Sequence, residues 1–243
     1  VGAPFGRVAF LETLMPEMEG HPVAPSAVPS RWNPSVMCRA LTTEECQGLI
    51  DNQIITSVAA ARAGADGICL GGAYGGYFAD QFATRAFNQR DDEFGFAKGG
   101  QYRVITDVIR GIKEQMGQDY PVMVRLGVRH YMKDIGVAPL PGEEYTEVGR
   151  DVEDSLALAK ALEEAGADAI LIGNGSYDSF YWLYPPTYQK EGLWLEDAKL
   201  IKDAVNIPVI CPGKILTPEM AEKAIKEGYV DAVALGKASL ADS

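Results

Sequence analysis

Three times along this chain a helical stretch stops at a glycine and gives way, through an aspartate, to a short apolar run. Gly64-Ala65-Asp66 leads into Gly67–Leu70, Gly166-Ala167-Asp168 into Ala169–Ile172, and Gly228 with Asp231 into Ala232–Leu235. Two further apolar runs open on proline, Pro121–Leu126 and Pro208–Cys211, behind amphipathic stretches near 101–116 and 195–205. Short unbroken apolar runs of this kind, bounded by turn residues, read as buried strands. Helix, glycine stop, apolar strand and polar loop, five times in succession, specify a parallel sheet with helical crossovers. So many successive units favour a (β/α)8 TIM barrel over an open doubly wound sheet. The count then falls short. Five strands are clear and Arg7–Leu11 is a candidate for part of a sixth, whereas a closed barrel needs eight, so on the order of a hundred residues are wanting. The expectation is an internal piece of a longer polypeptide, an incomplete barrel lacking its first strands.

Composition bounds the rest. With 243 residues, 47% of them hydrophobic, the chain can bury one sizeable core, and a single domain over residues 1–243 is expected. Within it, residues 1–40 carry a proline every few positions and read as a long ordered loop, and residues 41–243 hold the five units. Thr42-Thr43-Glu44-Glu45 has the hydroxyl cap and early acids of a helix start, with apolar positions running on to Ala63. The 34 acidic residues outnumber the 22 basic ones for a net charge of −12, which argues against a nucleic-acid or anionic-membrane partner. No apolar run approaches the roughly 20 residues of a membrane span, and no signal peptide is recognisable. The four cysteines show no Cys-x-x-Cys spacing. Cys69 and Cys211 fall inside strands and read as reduced core thiols, so a cytoplasmic location is expected.

In a parallel barrel the chemistry gathers at the C-terminal ends of the strands. Those positions are Gly71–Tyr77, Arg125 with Arg129 and His130 just beyond it, Gly173–Tyr177, Pro212-Gly213-Lys214 and Gly236-Lys237. The two Gly-Lys pairs follow the final two strands, where barrels commonly hold a phosphate; solvated strand-end turns are the alternative. Arg125 interrupts an apolar strand, and its charge needs either a bound anionic cofactor or a buried salt bridge. His130 is a candidate acid or an incidental loop histidine. Tyr74 and Tyr77 can donate hydrogen bonds or protons, or simply pack. The aromatic segment Tyr177–Trp182, with Pro185–Gln189, could wall a pocket for a flat apolar ligand.

The segments HPVAPSAVP, CRALTTEE, GGYFADQF, NQRDDEFG, PVMVRL, LPGEEY, GSYDSFYWLYPPTYQ and ALGKASLAD together resemble the FMN-dependent old yellow enzyme family. The branch is that of 2-enoate reductases and NADH:flavin oxidoreductases, and the likeness runs almost end to end. It implies an FMN barrel that transfers hydride from reduced flavin to an α,β-unsaturated carbonyl or enoate, with NAD(P)H as reductant and a small molecule as partner. It implies that Arg125 contacts the flavin, that Gly213-Lys214 and Gly236-Lys237 hold its phosphate, and that Tyr77 protonates the alkene carbon opposite hydride delivery. The family more often has Gly-Arg at the phosphate turns; lysine keeps the charge and loses the bidentate fork. An iron–sulfur cluster belongs, by the same resemblance, only to a segment beyond this chain, and no metal site is expected within it. A homo-oligomer is left open.

One departure stands out. Relatives place two histidines, as His-x-x-His-Glu-Gly-Tyr, where this chain has Gly71 and Tyr74. Those histidines polarise the substrate carbonyl. Tyr74, with His130, is the remaining candidate for that role. The alternative function is a flavin-binding pseudoenzyme or scaffold subunit. A barrel aldolase or isomerase would fit the phosphate turns, but needs a Schiff-base lysine or carboxylate base that no motif supplies.

Overall fold

The computed structural model describes residues 6–8, 22–236 and 239–240. In chain order its elements are β1 (Val23–Ala24), β2 (Arg39–Ala40), α1 (Thr43–Arg62), β3 (Ile68–Ala73), α2 (Phe78–Phe82), α3 (Arg103–Met116) and β4 (Val122–Gly127). There follow α4 (Val152–Glu164), β5 (Ala169–Gly173), α5 (Phe180–Leu183), α6 (Leu195–Lys202), β6 (Val209–Cys211), α7 (Pro218–Lys226) and β7 (Ala232–Val233). Strands β3 to β7 form one five-stranded sheet in strict sequential order, and every pairing is parallel. This is the arrangement of consecutive units in a (β/α)8 barrel, and all five expected strands are present.

The helices start where local chemistry tells them to. Thr42 Oγ1 accepts from the Glu45 backbone N–H at 3.1 Å, and the Glu45 carboxylate accepts from the Thr42 N–H at 2.9 Å. That reciprocal box satisfies two donors the first turn of α1 would otherwise leave open. Asp151 and Thr217 cap α4 and α7 with one bond each, their side chains accepting from the Asp154 and Met220 N–H groups, the latter helix with Pro218 in the first turn.

Alternation along the strands divides the sheet into two unlike faces. Ile68, Leu70, Val122, Val124, Leu126, Ile170, Ile172, Val209 and Cys211 are buried in one cluster with Ile50, Ile109, Leu158, Leu162 and Ile201 from the helices. The opposite face carries Cys69, Met123, Arg125, Leu171 and Ile210, each retaining solvent exposure. Register places Cys69 beside Met123 and Arg125 beside Leu171, and Leu171 beside Ile210. These rows are the layers that face inward when such a sheet closes.

The recurring aspartate has a mechanical reason. Asp168 Oδ2, just ahead of β5, accepts from the Val122 N–H that opens β4 and from Lys113 Nζ of α3, both at 2.7 Å. Asp231, just ahead of β7, accepts from the Val209 N–H of β6 at 2.8 Å and pairs with Lys202 of α6. Each aspartate therefore pins the start of the preceding strand and the end of the helix before it.

The structure departs from the sequence reading at three points. Gly6–Val8 form a 3-10 turn, so the described part of the Arg7–Leu11 strand is not a strand, and residues 9–11 lie outside the described residues. The proline-rich segment is more regular than expected: β1 and β2 pair in parallel. Cys69 sits in β3 but is exposed, because it falls on the open face and not on the helix-covered one. Among the described residues, no helix is long and apolar enough to cross a membrane.

Replacing Asp168 by alanine strands the Val122 N–H and leaves Lys113, only 3% exposed, without its carboxylate. A loss of about 1–3 kcal/mol is expected, read as a lower urea midpoint at unchanged slope. A midpoint shift near zero would mean that the aspartate merely decorates the strand start.

Candidate active site

Beyond Leu70 the pairing of β3 with β4 shifts register before resuming at Ala73. The chain then turns through Gly75 and Gly76, whose φ of 72° and 79° favours glycine. Both polar groups of Gly76 are clamped from α2. Its N–H donates to Asp80 Oδ2 and its carbonyl accepts from Gln81 Nε2, each at 2.7 Å. Tyr74 and Tyr77 flank this fixed turn.

Asp80 is itself held by a buried cationic cluster. Arg150, fully buried, gives Nη1 to Asp80 Oδ1 at 2.5 Å, Nη2 to the carbonyls of Ala73 and Gly127, and Nε to Ser155 Oγ. His130 Nε2 lies 3.1 Å from Asp80 Oδ2, although neither ring nitrogen has the alignment of a hydrogen bond. Burial works to raise the Asp80 pKa, but Arg150, His130 and the Gly76 N–H outweigh it and hold the carboxyl below the usual carboxylate range. His130 is thus placed differently from the expected substrate contact. It is fully buried, it faces Asp80, and it does not line the cavity described next.

That cavity, of about 240 Å³, opens at the C-terminal ends of the strands and is lined by Tyr74, Arg125, Tyr184, Trp194, Gly213, Lys214 and Gly236 among others. It brings together five of the eight residues singled out from sequence. The Arg125 guanidinium lies over the Tyr74 ring, 3.8 Å from its centroid, a cation–π contact. Burial pushes the Tyr74 phenol pKa up, so the group is a neutral donor. The ring fits only because β5 ends in Gly173, where a Cβ would sit 2.3 Å from a Tyr74 carbon.

Among the described residues, Arg125 Nε is buried without a hydrogen-bond partner, and so is Trp194 Nε1 on the wall of the same cavity. Arg125 forms no salt bridge among the described residues. Of the two partners open to it, the internal carboxylate is therefore missing, and unmet buried donors are costly. A bound group presenting acceptors along one edge, as a flavin ring does, fits these donors. At the β6 turn, Gly213 has φ of 114°, which favours glycine, and a Cβ there would crowd Trp194 at 3.2 Å. Lys214 follows in the left-handed region at φ of 58°, and its ammonium donates to the carbonyls of Pro186, Thr187 and Gln189. Its charge is turned toward that loop, which it ties down. Gly236 is exposed, and Lys237 lies outside the described residues.

Tyr77 is half-buried and its hydroxyl stands 3.2 Å from that of Tyr177. Trp32, Phe180 and Tyr184 complete an aromatic wall around the pair. Sequence reasoning passed over Arg150, Asp80 and Trp194; nothing in their local pattern marks them. Tyr177 was visible as part of an aromatic segment, but not as the hydroxyl partner of Tyr77.

Asp80→Asn removes the counter-charge of a buried arginine, and a loss of about 3–5 kcal/mol is expected. Because the folded-state pKa lies below the unfolded value near about 3.9, the wild-type advantage is complete above that pH. It shrinks as pH falls toward the folded-state value. Thermal denaturation of both proteins from pH 7 to pH 3 checks this; a constant difference across the range would contradict it.

Comparison with known proteins gives the wider setting. The NADH:flavin oxidoreductase / NADH oxidase family matches residues 3–243. A cinnamate reductase of Clostridium sporogenes is 40% identical over 244 residues, covering 100% of this chain and 36% of that protein. An NADH oxidase of Thermoanaerobacter brockii is 37% identical over 221 residues, covering 91% of this chain and 32% of the relative. Among solved structures, 2-naphthoyl-CoA reductase in complex with 2-naphthoyl-CoA superposes with a TM-score of 0.76 at 26% identity, over 91% of this chain and 32% of that one. An old yellow enzyme homologue from Zymomonas mobilis, 23% identical and covered to 60%, shares the fold with a TM-score of 0.67 over 96% of this chain. The chain spans about a third of the length of the two curated relatives named here. Its five β/α units are those of an incomplete TIM barrel of the old yellow enzyme type, and the chain belongs to the NADH:flavin oxidoreductase / NADH oxidase family.

Proposed function

We propose that this chain forms the greater part of an FMN site in a protein that reduces the carbon–carbon double bond of an α,β-unsaturated carboxylic substrate, with NAD(P)H as reductant. The observation that carries the reading is the unpartnered Nε of Arg125, buried at the cavity beside the equally unpartnered Nε1 of Trp194. Arg125 and Trp194 would donate to the flavin, while the Gly213-Lys214 and Gly236-Lys237 turns would receive its phosphate. When bound, FMN supplies the hydride chemistry.

The chain's own residues do the rest. Tyr77, its turn clamped by Asp80 and Gln81, holds the proton that the α-carbon takes up as hydride reaches the β-carbon. Tyr74 faces the cavity as a neutral phenol and can donate one hydrogen bond to the substrate oxygen. Gly71 adds no side chain there, and a Cβ at that position would meet nothing within 4 Å. An aromatic wall of Trp32, Tyr177, Phe180 and Tyr184 suits a flat ring, and the kinship to a cinnamate reductase points to an aryl-substituted enoate. NADH:flavin chemistry in the family name supports the reductant.

A second reading, a flavin-binding scaffold without enoate turnover, is favoured by one observation. The only side chain left from the polarising pair, Tyr74, is stacked on Arg125.

The full-length protein is the material for the test. Its visible spectrum, with the released chromophore identified by chromatography, should show FMN, and Arg125→Met should lower its occupancy. NAD(P)H should bleach the flavin and an aryl enoate should restore its colour. Tyr77→Phe should slow that restoration on the order of a hundredfold while leaving the bleaching unchanged. A colourless full-length protein would sink the proposal. Flavin that bleaches but is reoxidised by no enoate would establish the scaffold reading instead.

A further inference from the structure

We propose that a second cavity, walled off from the flavin cavity by a single loop, is a binding site for an adenine nucleotide. Its volume is about 400 Å³, within the range of about 300–1,000 Å³ usual for small-molecule sites. Arg129, Tyr131, Trp182, Lys190 and Glu196 stand on its wall. Residues 182–194 lie between the two cavities. Trp182 and Leu193 line this one, while their immediate neighbours Leu183 and Trp194 line the other.

The polar groups are held in place from behind. Asn174, fully buried, accepts the Val128 and Arg129 N–H groups on Oδ1 at 3.1 and 2.9 Å, and its Nδ2 donates to Asp197 Oδ2 at 2.7 Å. Asp197, 7% exposed, accepts in turn from Arg129 Nε at 2.9 Å. The guanidinium is thereby fixed by its inner edge, and its two terminal nitrogens make no hydrogen bond among the described residues. A planar fork held in this way offers paired N–H groups to a phosphate. Lys190 and Glu196 are exposed and have no ion-pair partner among the described residues.

The aromatic wall and the backbone point the same way. The Tyr131 and Trp182 rings stack with centroids 4.2 Å apart and planes 10° from parallel. Tyr131 has φ of 56°, a conformation that is uncommon outside glycine and gathers at ligand clamps. Among the described residues, the one other non-glycine with positive φ is Lys214, which lines the flavin cavity. His130, between Arg129 and Tyr131, is buried against Asp80. Successive residues of this stretch therefore serve the cavity, the core and the cavity again.

Together these groups select the ligand. A base stacks on the Tyr131–Trp182 pair, a phosphate sits on Arg129 with Lys190, and Glu196 accepts from the ribose. A carboxylate there bonds a free 2′-hydroxyl and repels a 2′-phosphate. The site therefore takes nucleotides with an unmodified ribose. Two sources share this chemistry. One is the adenosine end of the reductant, its nicotinamide end reaching past the loop to the flavin, which would favour NADH over NADPH. The other is a nucleotide that binds apart from the reductant. The first source rests on the flavin reading above; the site itself does not.

The test is calorimetric titration of the full-length protein with AMP. Lys190→Gln and Trp182→Leu are each expected to weaken binding by about tenfold, the scale of a charged hydrogen bond or a stacked base. Adenosine 2′,5′-bisphosphate should bind wild type more weakly than AMP does, and Glu196→Gln should bring the two together. The flavin spectrum of all three variants should match wild type, because none of these side chains lines the flavin cavity. If AMP raises the KM for NADH, and Trp182→Leu raises it too, the site belongs to the reductant. If AMP binds and leaves that KM alone, it belongs to a separate nucleotide; both results support the site. A wild-type protein that binds no AMP would overturn it. So would binding that all three substitutions leave unchanged, since that nucleotide would sit elsewhere in the full-length protein. Titration needs neither flavin nor turnover. A colourless protein that binds AMP as described defeats the enoate reading alone, and a yellow one blind to AMP defeats this proposal alone.

Discussion

Everything at the mouth of this sheet hangs on one buried ion cluster. Arg150 and Asp80 are both fully buried, and between them they hold the C-terminal ends of β3 and β4 and the glycine turn beyond β3. Arg150 reaches the carbonyls of Ala73 and Gly127, and Ser155, its other partner, donates on to the Val128 carbonyl. Asp80 takes the Gly76 N–H. Backbone carbonyls at the end of parallel strands have no neighbour left to bond them, and leaving them buried and unmet would be costly. The cluster meets them and in doing so fixes the turn that carries Tyr74 and Tyr77. Paired ions buried in this way often add little net stability over apolar packing; here the gain is geometric.

Arg125 gives the contrast that separates scaffold from site. Both arginines belong to the β4 unit, one in the strand and one ahead of its following helix. Arg150 has a partner for each of its three nitrogens. Among the described residues, Arg125 has only the face of Tyr74 and a buried Nε with nothing to donate to. A protein that satisfies one buried guanidinium so fully within the same β/α unit has left the other open at the one place where a ligand can complete it. Lys214 shows a third solution. Its ammonium is consumed by three loop carbonyls, so the turn it occupies is rigid, and a phosphate there would meet backbone before it met charge.

How much of this the sequence disclosed follows from how far apart the cooperating residues lie. The five strands and their helices were readable because each is written locally, as a cap, an apolar run and a glycine stop. The strand-end positions of Tyr74, Arg125, Gly213 and Gly236 followed from the fold, since parallel order alone puts strand ends on one side. Asp80 and Arg150 are 70 residues apart, and nothing near either marks them as partners. His130 misled for the same reason: from its loop it could face solvent or core, and only the clustered charge of Asp80 decides for the core. Tyr77 and Tyr177, 100 residues apart, meet because β3 and β5 both end beside β4, a register that no local pattern records. Cys69 was misplaced by the assumption that both faces of the strand are covered.

That assumption leads to the last constraint. A parallel strand normally reads as continuous apolar sequence because both of its faces are buried, and β3 to β6 do read that way. Yet one face, with Cys69, Met123, Leu171 and Ile210, keeps solvent exposure among the described residues. The aspartates tell the same story from the strand edges. Asp168 and Asp231 each pin the strand before their own and a lysine of the helix that leads into that strand. Asp66 occupies the matching place ahead of β3, is exposed, and has no such strand or lysine among the described residues. In the repeat's own logic, the partner of Asp66 is one further β/α unit on the free edge of β3. A sheet extended from that edge would curl over the exposed face and supply what its apolar side chains are built to meet.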